Sequence, residues 1–383
     1  MLEETHKFYE KLYSKDSNTD KIEEKMKVYL HGLDHKILSQ ENKESCEEII
    51  TVEEMGRALK TMKNNSSPGS DGITAEFYKT FWRVLKTPLF NSYAESIQEG
   101  ELTLSQRRGI IALIHKGNNT CRRNLNNWRC ITPINVDYKI FTKMPALRLQ
   151  KVIKSIVHEN QSGFISGRKI CSHIRLLDDI IRYTGTEKTE GIVVSLDYKK
   201  AFDSVYKEAI LAALKEFNFG PNFIKYIETI LSNTESATKK GVWMSKFNKT
   251  EKGVRQGCNV SPLLFVLVVE ILAIKLRSNE NIRGIFNDGA LEDKLKLLHY
   301  GDGMTLVVKN QEDLRTALAE NEFFTSISGL QLNRKKSTGM WIGKSKGNEA
   351  RGEGITWLDK NLKVLGIYTS TPQTKDPIFH KTG

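Results

Sequence analysis

The stretch from Ser261 to Leu272, Ser-Pro-Leu-Leu-Phe-Val-Leu-Val-Val-Glu-Ile-Leu, is apolar on nearly every side. Serine ahead of proline is a strong helix start, because the hydroxyl caps orphan amides and the fixed φ of proline suits the first helical position. A helix with no polar face has to be enclosed. Its longest unbroken apolar run, 263–269, falls far short of the roughly 18 residues that a bilayer crossing takes, so the enclosure has to be the protein's own core. With 383 residues and 39% hydrophobic content the chain can supply such a core. Length alone allows one large domain or about two to three smaller ones.

Around that helix the chain reads as globular, with no internal repeat and no long low-complexity stretch. Residues 1–50 are strongly charged and mostly helical in pattern. A Thr51-x-x-Glu54 capping box then opens a helix with Met55, Ala58, Leu59 and Met62 on one face. The turn-forming run Asn64-Asn65-Ser66-Ser67-Pro68-Gly69 breaks it. Asp71 or Thr74 can cap the next helix, which carries Phe77, Phe81, Leu85 and Leu89 at helical spacing. Residues 110–114 (Ile-Ile-Ala-Leu-Ile) and 192–196 (Ile-Val-Val-Ser-Leu) suit buried strands, and a basic, polar loop over 116–127 follows the first. A helix pair interrupted at Pro221 comes next. Two short strands, 295–300 and 304–308, flank Gly301-Asp302-Gly303. Helices interspersed with a few antiparallel strands make an α+β chain.

Lys plus Arg number 58 against 46 Asp plus Glu, a net charge of +12. The natural partner of such a chain is an extended polyanion rather than an acidic protein surface, and charge alone does not separate nucleic acid from anionic lipid. The five cysteines, Cys46, Cys121, Cys130, Cys171 and Cys258, are odd in number and never spaced as C-x-x-C. They signal neither a disulfide framework nor a zinc knuckle, so a reduced, intracellular setting, cytoplasm or nucleus, is expected. The charged, amphipathic N-terminus has no signal-peptide core.

Two carboxylates stand where strands end, the position from which a rigid scaffold presents metal ligands: Asp197 and Asp302. Two-metal nucleotidyl transfer needs carboxylates that bridge a pair of magnesium ions about 3.5–4 Å apart. Each residue also has a plainer reading. Asp-Gly between apolar strands is a strong hairpin-turn signal, and Asp197 could cap a loop. Asp203 reads as a helix cap or loop anchor.

The order of segments weighs in favour of chemistry. The chain carries SSPGSDGITAEFYK (66–79), QRRGIIALIHK (106–116), NNWRCITPINVDYKI (126–140), ALRLQKVIKSIVHENQSGFISGR (146–168), VVSLDYKKAFDSV (193–205), GVRQGCNVSPLLFVLVVEIL (253–272), HYGDG (299–303), GLQLNRKKS (329–337) and KVLGIY (363–368). Each resembles a segment of the LINE-type, non-LTR retrotransposon reverse transcriptases. Their shared order is far more specific than any one of them. The resemblance covers roughly 51–370, with 1–50 similar to the helical connector ahead of that domain and 371–383 a C-terminal tail.

That resemblance implies a right-hand polymerase fold, with fingers and a palm built on a small antiparallel sheet flanked by helices, and a thumb absent or incomplete. It implies an RNA-directed DNA polymerase that takes an RNA template, a DNA primer and dNTPs with two Mg2+ ions. Asp197, Asp302 and the backbone carbonyl of Tyr198 would ligate metal. Phe202 would be the aromatic gate against a ribose 2′-hydroxyl, although an aromatic there is by base rate a core residue. Gln256 and Gly257 would lie beside the incoming base and template. Lys116 and Arg129 would hold the triphosphate, as a compact charge and a planar fork suit it. Lys336 would protonate the departing pyrophosphate, with Lys335 an adjacent alternative.

The sequence departs from the family pattern at three places. The palm hairpin normally carries two consecutive aspartates, and here Gly303 follows Asp302. Cys130 and Asn259 each stand where the family has proline. Together the three resemble drift in a decayed element copy, so weakened or absent catalysis is expected. Glu292 and Asp293 are the nearest acidic residues that could substitute for the missing carboxylate, although their position ahead of a strand suits a solvated turn. No endonuclease module is evident within the chain. The competing expectations are a non-catalytic nucleic-acid-binding remnant and a structural protein.

Overall fold

The computed structural model describes residues 2–16, 20–117, 121–187, 189–241, 243–285, 295–344 and 352–370. Glu292, Asp293 and the 371–383 tail lie outside them. The chain forms two compact units, one of residues 1–23, 36–156 and 202–265, the other of 24–35, 157–201 and 266–383. In chain order the strands are β1 (Arg108–His115), β2 (Trp128–Ile131), β3 (Glu190–Leu196), β4 (Glu235–Lys240), β5 (Trp243–Met244), β6 (Asn248–Lys249), β7 (Leu297–Tyr300), β8 (Gly303–Val308), β9 (Thr338–Gly343), β10 (Thr356–Leu358), β11 (Asn361–Val364) and β12 (Ile367–Ser370).

The first unit holds a sheet ordered β2-β1-β4-β5, with β6 also on β4. β1 and β2 are antiparallel, while β1 and β4 run parallel. This corrects the expectation of antiparallel strands throughout: β4 follows β1 only after a long, helix-containing excursion, and such a crossover permits parallel pairing where a hairpin does not. One face of the sheet buries Ile111 and Cys130 against Tyr9 and Tyr13 of the N-terminal helix Leu2–Tyr13. The 52–60 helix starts as expected, with the Thr51 hydroxyl accepting from the Glu54 amide. The Glu54 carboxylate is used elsewhere. It takes a two-pronged bond from Arg148, Nε at 2.7 Å and Nη2 at 2.6 Å, and both side chains are buried.

The stripe from Phe77 to Leu89 also differs from expectation. Thr74 caps a helix that ends at Thr80, and a second helix, Trp82–Glu99, begins beyond Phe81. Phe77 and Phe81 stay exposed and pack on each other, ring centroids 4.8 Å apart. Asp71 instead accepts from the amide of Ile73. The break at Pro221 falls as read, between helices Lys207–Glu216 and Pro221–Leu231.

The second unit is built on the sheet β10-β9-β3-β8-β7. Its pairs are antiparallel except β10 on β9. β3, the apolar run of the sequence, occupies the middle, so Ile192, Val193 and Val194 are fully buried and need no polar alternation. Helix Ile170–Thr186 contributes Leu177, Ile180 and Ile181 to the core that Val193, Val307, Met340 and Ile342 form. The helix begun at Ser261 runs to Ser278, and its apolar residues are buried. Its one acid, Glu270, is also buried, and is held by Arg277 and by the amide of His158 at 3.2 Å. Among the described residues no helix is long and apolar enough to cross a membrane.

Candidate active site

In the second unit β3 and β8 bring the two carboxylates together. Their register ends at Leu196 against Met304, so Asp197 is the next residue along β3 and Gly303 the next along β8. β7 and β8 close on Tyr300 opposite Gly303, leaving Gly301-Asp302 as the two-residue turn. Gly301 has φ +62° and Asp302 has a negative φ, which is the type II′ arrangement with glycine first. The sequence reading placed the turn on Asp302-Gly303. The structure shifts it by one residue, because Gly301 already supplies the positive φ.

Asp302 therefore sits at the apex of the hairpin. Its side chain opens to solvent, yet the surrounding protein removes enough water to raise its pKa, and the charge of Asp197 pushes the same way. The two carboxylates are close enough to feel each other. Gly303 lies within the strand at an ordinary φ, and a Cβ there would meet Leu365 Cδ2 at 3.4 Å and Tyr300 O at 3.5 Å, both normal contacts. Nothing in the backbone requires glycine at this position.

Asp197 is held from the other edge. Asn333 donates twice to it, from Nδ2 to Oδ2 at 3.0 Å and from its amide to the Asp197 carbonyl at 2.7 Å. Ser337 Oγ accepts from the Asp197 amide at 3.1 Å and donates to the Asn333 carbonyl at 3.0 Å. The Lys199 amide bonds to Gln331 O at 2.8 Å, so residues 197 and 199 both turn their backbone groups towards 331–333. Strand alternation then directs the carbonyl of Tyr198 to the opposite edge, where β8 lies. The Tyr198 ring is buried, with its hydroxyl on Asn321. Lys336 and Lys335 are both exposed on the turn that follows Asn333. Asn333 and Ser337 were not singled out from sequence, although both lie in the GLQLNRKKS segment. Among the described residues no group of three or more His, Cys, Asp or Glu could hold a metal ion.

The remaining candidates belong to the first unit. Arg129 pairs with Ile114 across β1 and β2, and the Lys116 amide extends the ladder to Asn127 O at 2.9 Å. Residues 114, 116, 127 and 129 thus share one face, opposite the face that buries Ile111 and Cys130. Lys116 and Arg129 are exposed on it, with Lys116 Nζ also donating to Asn126 O at 2.9 Å. Phe202 is half-buried and stacks on Phe265, centroids 4.5 Å apart. The Gln256 carbonyl accepts from Thr132 at 3.3 Å, and Gly257 has φ +122° with Thr132 O only 2.8 Å from where a Cβ would stand. Arg255 was missed by sequence reading. It is buried and bonds to the carbonyls of Gln106, Arg107 and Glu235, tying the start of β1 to β4.

Two of the three departures are integrated contacts. Cys130 donates to Asp203 Oδ2 at 3.2 Å, and the Tyr13 hydroxyl donates to Oδ1 at 3.2 Å, so Asp203 is a buried anchor. Asn259 Nδ2 donates to Lys139 O at 2.9 Å. Proline could make neither bond. Both substituted side chains are thus bonded within the first unit.

A family model for reverse transcriptase (RNA-dependent DNA polymerase) matches residues 114–369, a span that contains β2 to β11, both carboxylates and the Asn333 turn. The chain belongs to the reverse transcriptases of non-LTR retrotransposons. Among its relatives, the transposon TX1 uncharacterized 149 kDa protein of Xenopus laevis is 32% identical over 369 residues, 96% of this chain and 27% of that protein. The retrovirus-related Pol polyprotein from a type-1 retrotransposable element R2 of Popillia japonica is 30% identical over 303 residues, 78% of this chain and 40% of that one. The R2DM polyprotein of Drosophila melanogaster is 25% identical over 276 residues, 71% and 24%. This reverse transcriptase chain thus spans well under half the length of these relatives.

Proposed function

We propose that residues 51–370 are the fingers and palm of an RNA-directed DNA polymerase, preceded by a helical connector, and that Gly303 weakens its catalysis. The observation that carries this reading is the pairing of Asp197 and Asp302 at the ends of adjacent strands, close enough for one charge to raise the other's pKa. Two carboxylates that repel each other at a strand end fit a divalent cation, and sparse carboxylate ligation suits Mg2+. Asp197, Asp302 and the Tyr198 carbonyl would hold it. When bound, Mg2+ would neutralise charge on the attacking and leaving oxygens of nucleotidyl transfer.

The chain's own residues supply the rest. Asn333 and Ser337 fix Asp197 by backbone and side chain, so that this carboxylate does not have to be ordered at the moment of reaction. Lys116 and Arg129, on one face of the first unit's sheet, offer the triphosphate a compact charge and a planar fork. Phe202 is the sugar gate, and its stacking on Phe265 supports that role by fixing the ring. Gln256 and Gly257 flank the base, where a glycine backbone admits close approach. Lys336 returns a proton to pyrophosphate. The basic surplus grips the RNA template and DNA primer through their phosphates.

With Gly303 the site has two carboxylates for two ions, and transition-state stabilisation of several kcal/mol is at stake. The test is primer extension on a poly-A template with an oligo-dT primer, dTTP and Mg2+, comparing the native chain, Gly303→Asp and Asp197→Asn. Gly303→Asp should extend at least about a hundredfold faster than native, since each 1.36 kcal/mol is tenfold in rate. Native extension as fast as that of the restored chain would refute the weakening. Extension that survives Asp197→Asn would refute the site.

A second reading is favoured by the lack of any three-ligand cluster among the described residues: a nucleic-acid-binding remnant without chemistry. It predicts salt-dependent affinity for primer-template with no extension by either the native or the Gly303→Asp chain.

A further inference from the structure

The segment HENQSGFISGR (158–168) matches the family, yet no part of the chemistry above uses it. In the structure it is wrapped around the hairpin that carries Asp302. The Ser162 amide bonds to His299 O at 2.9 Å and the His299 amide to Asn160 O at 2.7 Å, so residues 160–162 cover the free edge of β7. Gln161 is 1% exposed, and its Oε1 accepts two amides, Gly163 at 2.7 Å and Gly301 at 3.1 Å. Gly301 is the first residue of the turn, immediately ahead of Asp302. The Gln161 Nε2 has no partner among the described residues, so it is the oxygen that makes the contact.

The neighbours of Gln161 serve the same contact. A Cβ on Gly163 would stand 2.1 Å from the Gly301 nitrogen, so only glycine lets the two backbones approach this closely. A Cβ on Gly301 would stand 2.9 Å from the Phe164 ring, and Phe164 holds φ +61°, a conformation that costs a non-glycine residue energy. Arg168 spans the segment and donates to the carbonyls of Val157, His158 and Gln161 at 2.6–2.8 Å. Gln161, Gly163 and Phe164 thus all adjoin the Gly301 backbone, and Arg168 braces the segment that carries them.

We propose that Gln161 is a positioning residue for the reaction, setting the height of the Gly301-Asp302 turn so that the Asp302 carboxylate is presented to Asp197. Acting through Asp302, it makes the 158–168 segment a buckle on the hairpin. The inference rests on the polymerase reading for its purpose, and on geometry alone for the contact.

Backbone amide exchange of Gly301 tests the contact without metal, template or turnover. Gln161→Met keeps the shape and removes the amide oxygen, whereas Gln161→Glu keeps an acceptor. Gly301 should exchange at least about tenfold faster in Gln161→Met than in the native chain, with Leu306 and Val307 unmoved, and Gln161→Glu should restore most of the protection. Gly163→Ala, which leaves Gln161 in place but crowds Gly301, should speed the same amide. Unchanged Gly301 exchange in Gln161→Met or in Gly163→Ala overturns the proposal. So does a rise equal in Met and Glu variants, or one shared by Leu306 and Val307, since either means general loosening. Primer extension in a Gly303→Asp chain is the second readout: Gln161→Met should lower kcat at least about tenfold with little change in KM for dTTP. Unchanged kcat removes the positioning role. If that background extends no primer, the polymerase reading fails, while the exchange result still decides for or against the contact.

Discussion

Asn333→Asp tests how firmly Asp197 is held, since it swaps the donor amide for a carboxyl of the same shape. In the native chain Nδ2 donates to Asp197 Oδ2 at 3.0 Å. The variant sets two carboxylates at that distance. Two unit charges at about 4 Å repel by about 1 kcal/mol in water and about 4 kcal/mol at an effective dielectric of 20, and Asp197 is half-buried, between those limits. The penalty has a ceiling. The introduced carboxyl can take up a proton and then donate the bond that asparagine made, and protonating an ordinary carboxyl of pKa about 3.9 at pH 7 costs about 4 kcal/mol.

Stability should therefore fall by about 1–4 kcal/mol at pH 7, and the deficit should shrink with acidification by up to about 1.4 kcal/mol per pH unit. The sign follows from linkage. The introduced acid has a folded pKa raised above its unfolded value, so its cost is present above the unfolded pKa and disappears as pH falls towards 4. Urea unfolding from pH 7 to pH 4.5 measures this, read from Trp341 and Trp357, which stack 5.7 Å apart in the second unit, in a chain with Trp82, Trp128 and Trp243 replaced by Phe. A deficit that is absent at pH 7, or that does not change with pH, would show that Asn333 does not hold the Asp197 carboxylate. Mg2+ should also reduce the deficit, because a cation between the carboxylates removes the repulsion.

Three further outcomes are expected. Gly303→Asp should fold as well as the native chain, because its Cβ meets only normal contacts, and its melting temperature should rise more on adding Mg2+ than that of the native chain; equal rises would argue against a ligand at 303. Arg148→Met should cost about 3–5 kcal/mol in urea unfolding by leaving Glu54 buried and unpaired, and adding Glu54→Met should recover most of it; an equal loss in the double variant would assign the cost to packing instead. Lys207, pushed down to about 8 mainly by burial and then by the Arg255 charge, binds fewer protons when folded than unfolded above that pH, so stability should climb between pH 8 and about 10.5. In Lys207→Met that climb should flatten.

What was legible in the sequence was local. The apolar runs at 110–114 and 192–196 read as strands because their neighbours cover both faces or one, and Pro221 read as a break because it cannot continue a helix. The parallel pairing of β1 with β4 was not legible, because nothing near either strand encodes a partner well over a hundred residues away. The exposure of Phe77 and Phe81 was hidden for the converse reason: helical spacing shows that side chains share a face, not that anything packs on that face. Asn333 and Gln161 were overlooked because each side chain bonds a group far along the chain, the Asp197 carboxylate and the Gly301 amide, and an amide side chain in a loop has no spacing signature for that.

The hairpin register bears on the proposed weakening at Gly303, because it separates that position from the turn. A turn centred on Asp302-Gly303 would make glycine structural there, so its presence could be ascribed to backbone need. The turn is centred on Gly301-Asp302, with the positive φ at Gly301 and the Gln161 bond on the Gly301 amide. Position 303 is then an ordinary strand residue with room for a side chain. The pairing of β7 with β8 and of β8 with β3 is made by backbone groups and does not depend on the side chain at 303. On the proposed reading the effect of residue 303 is then on chemistry, and a single substitution at 303 is enough to test it.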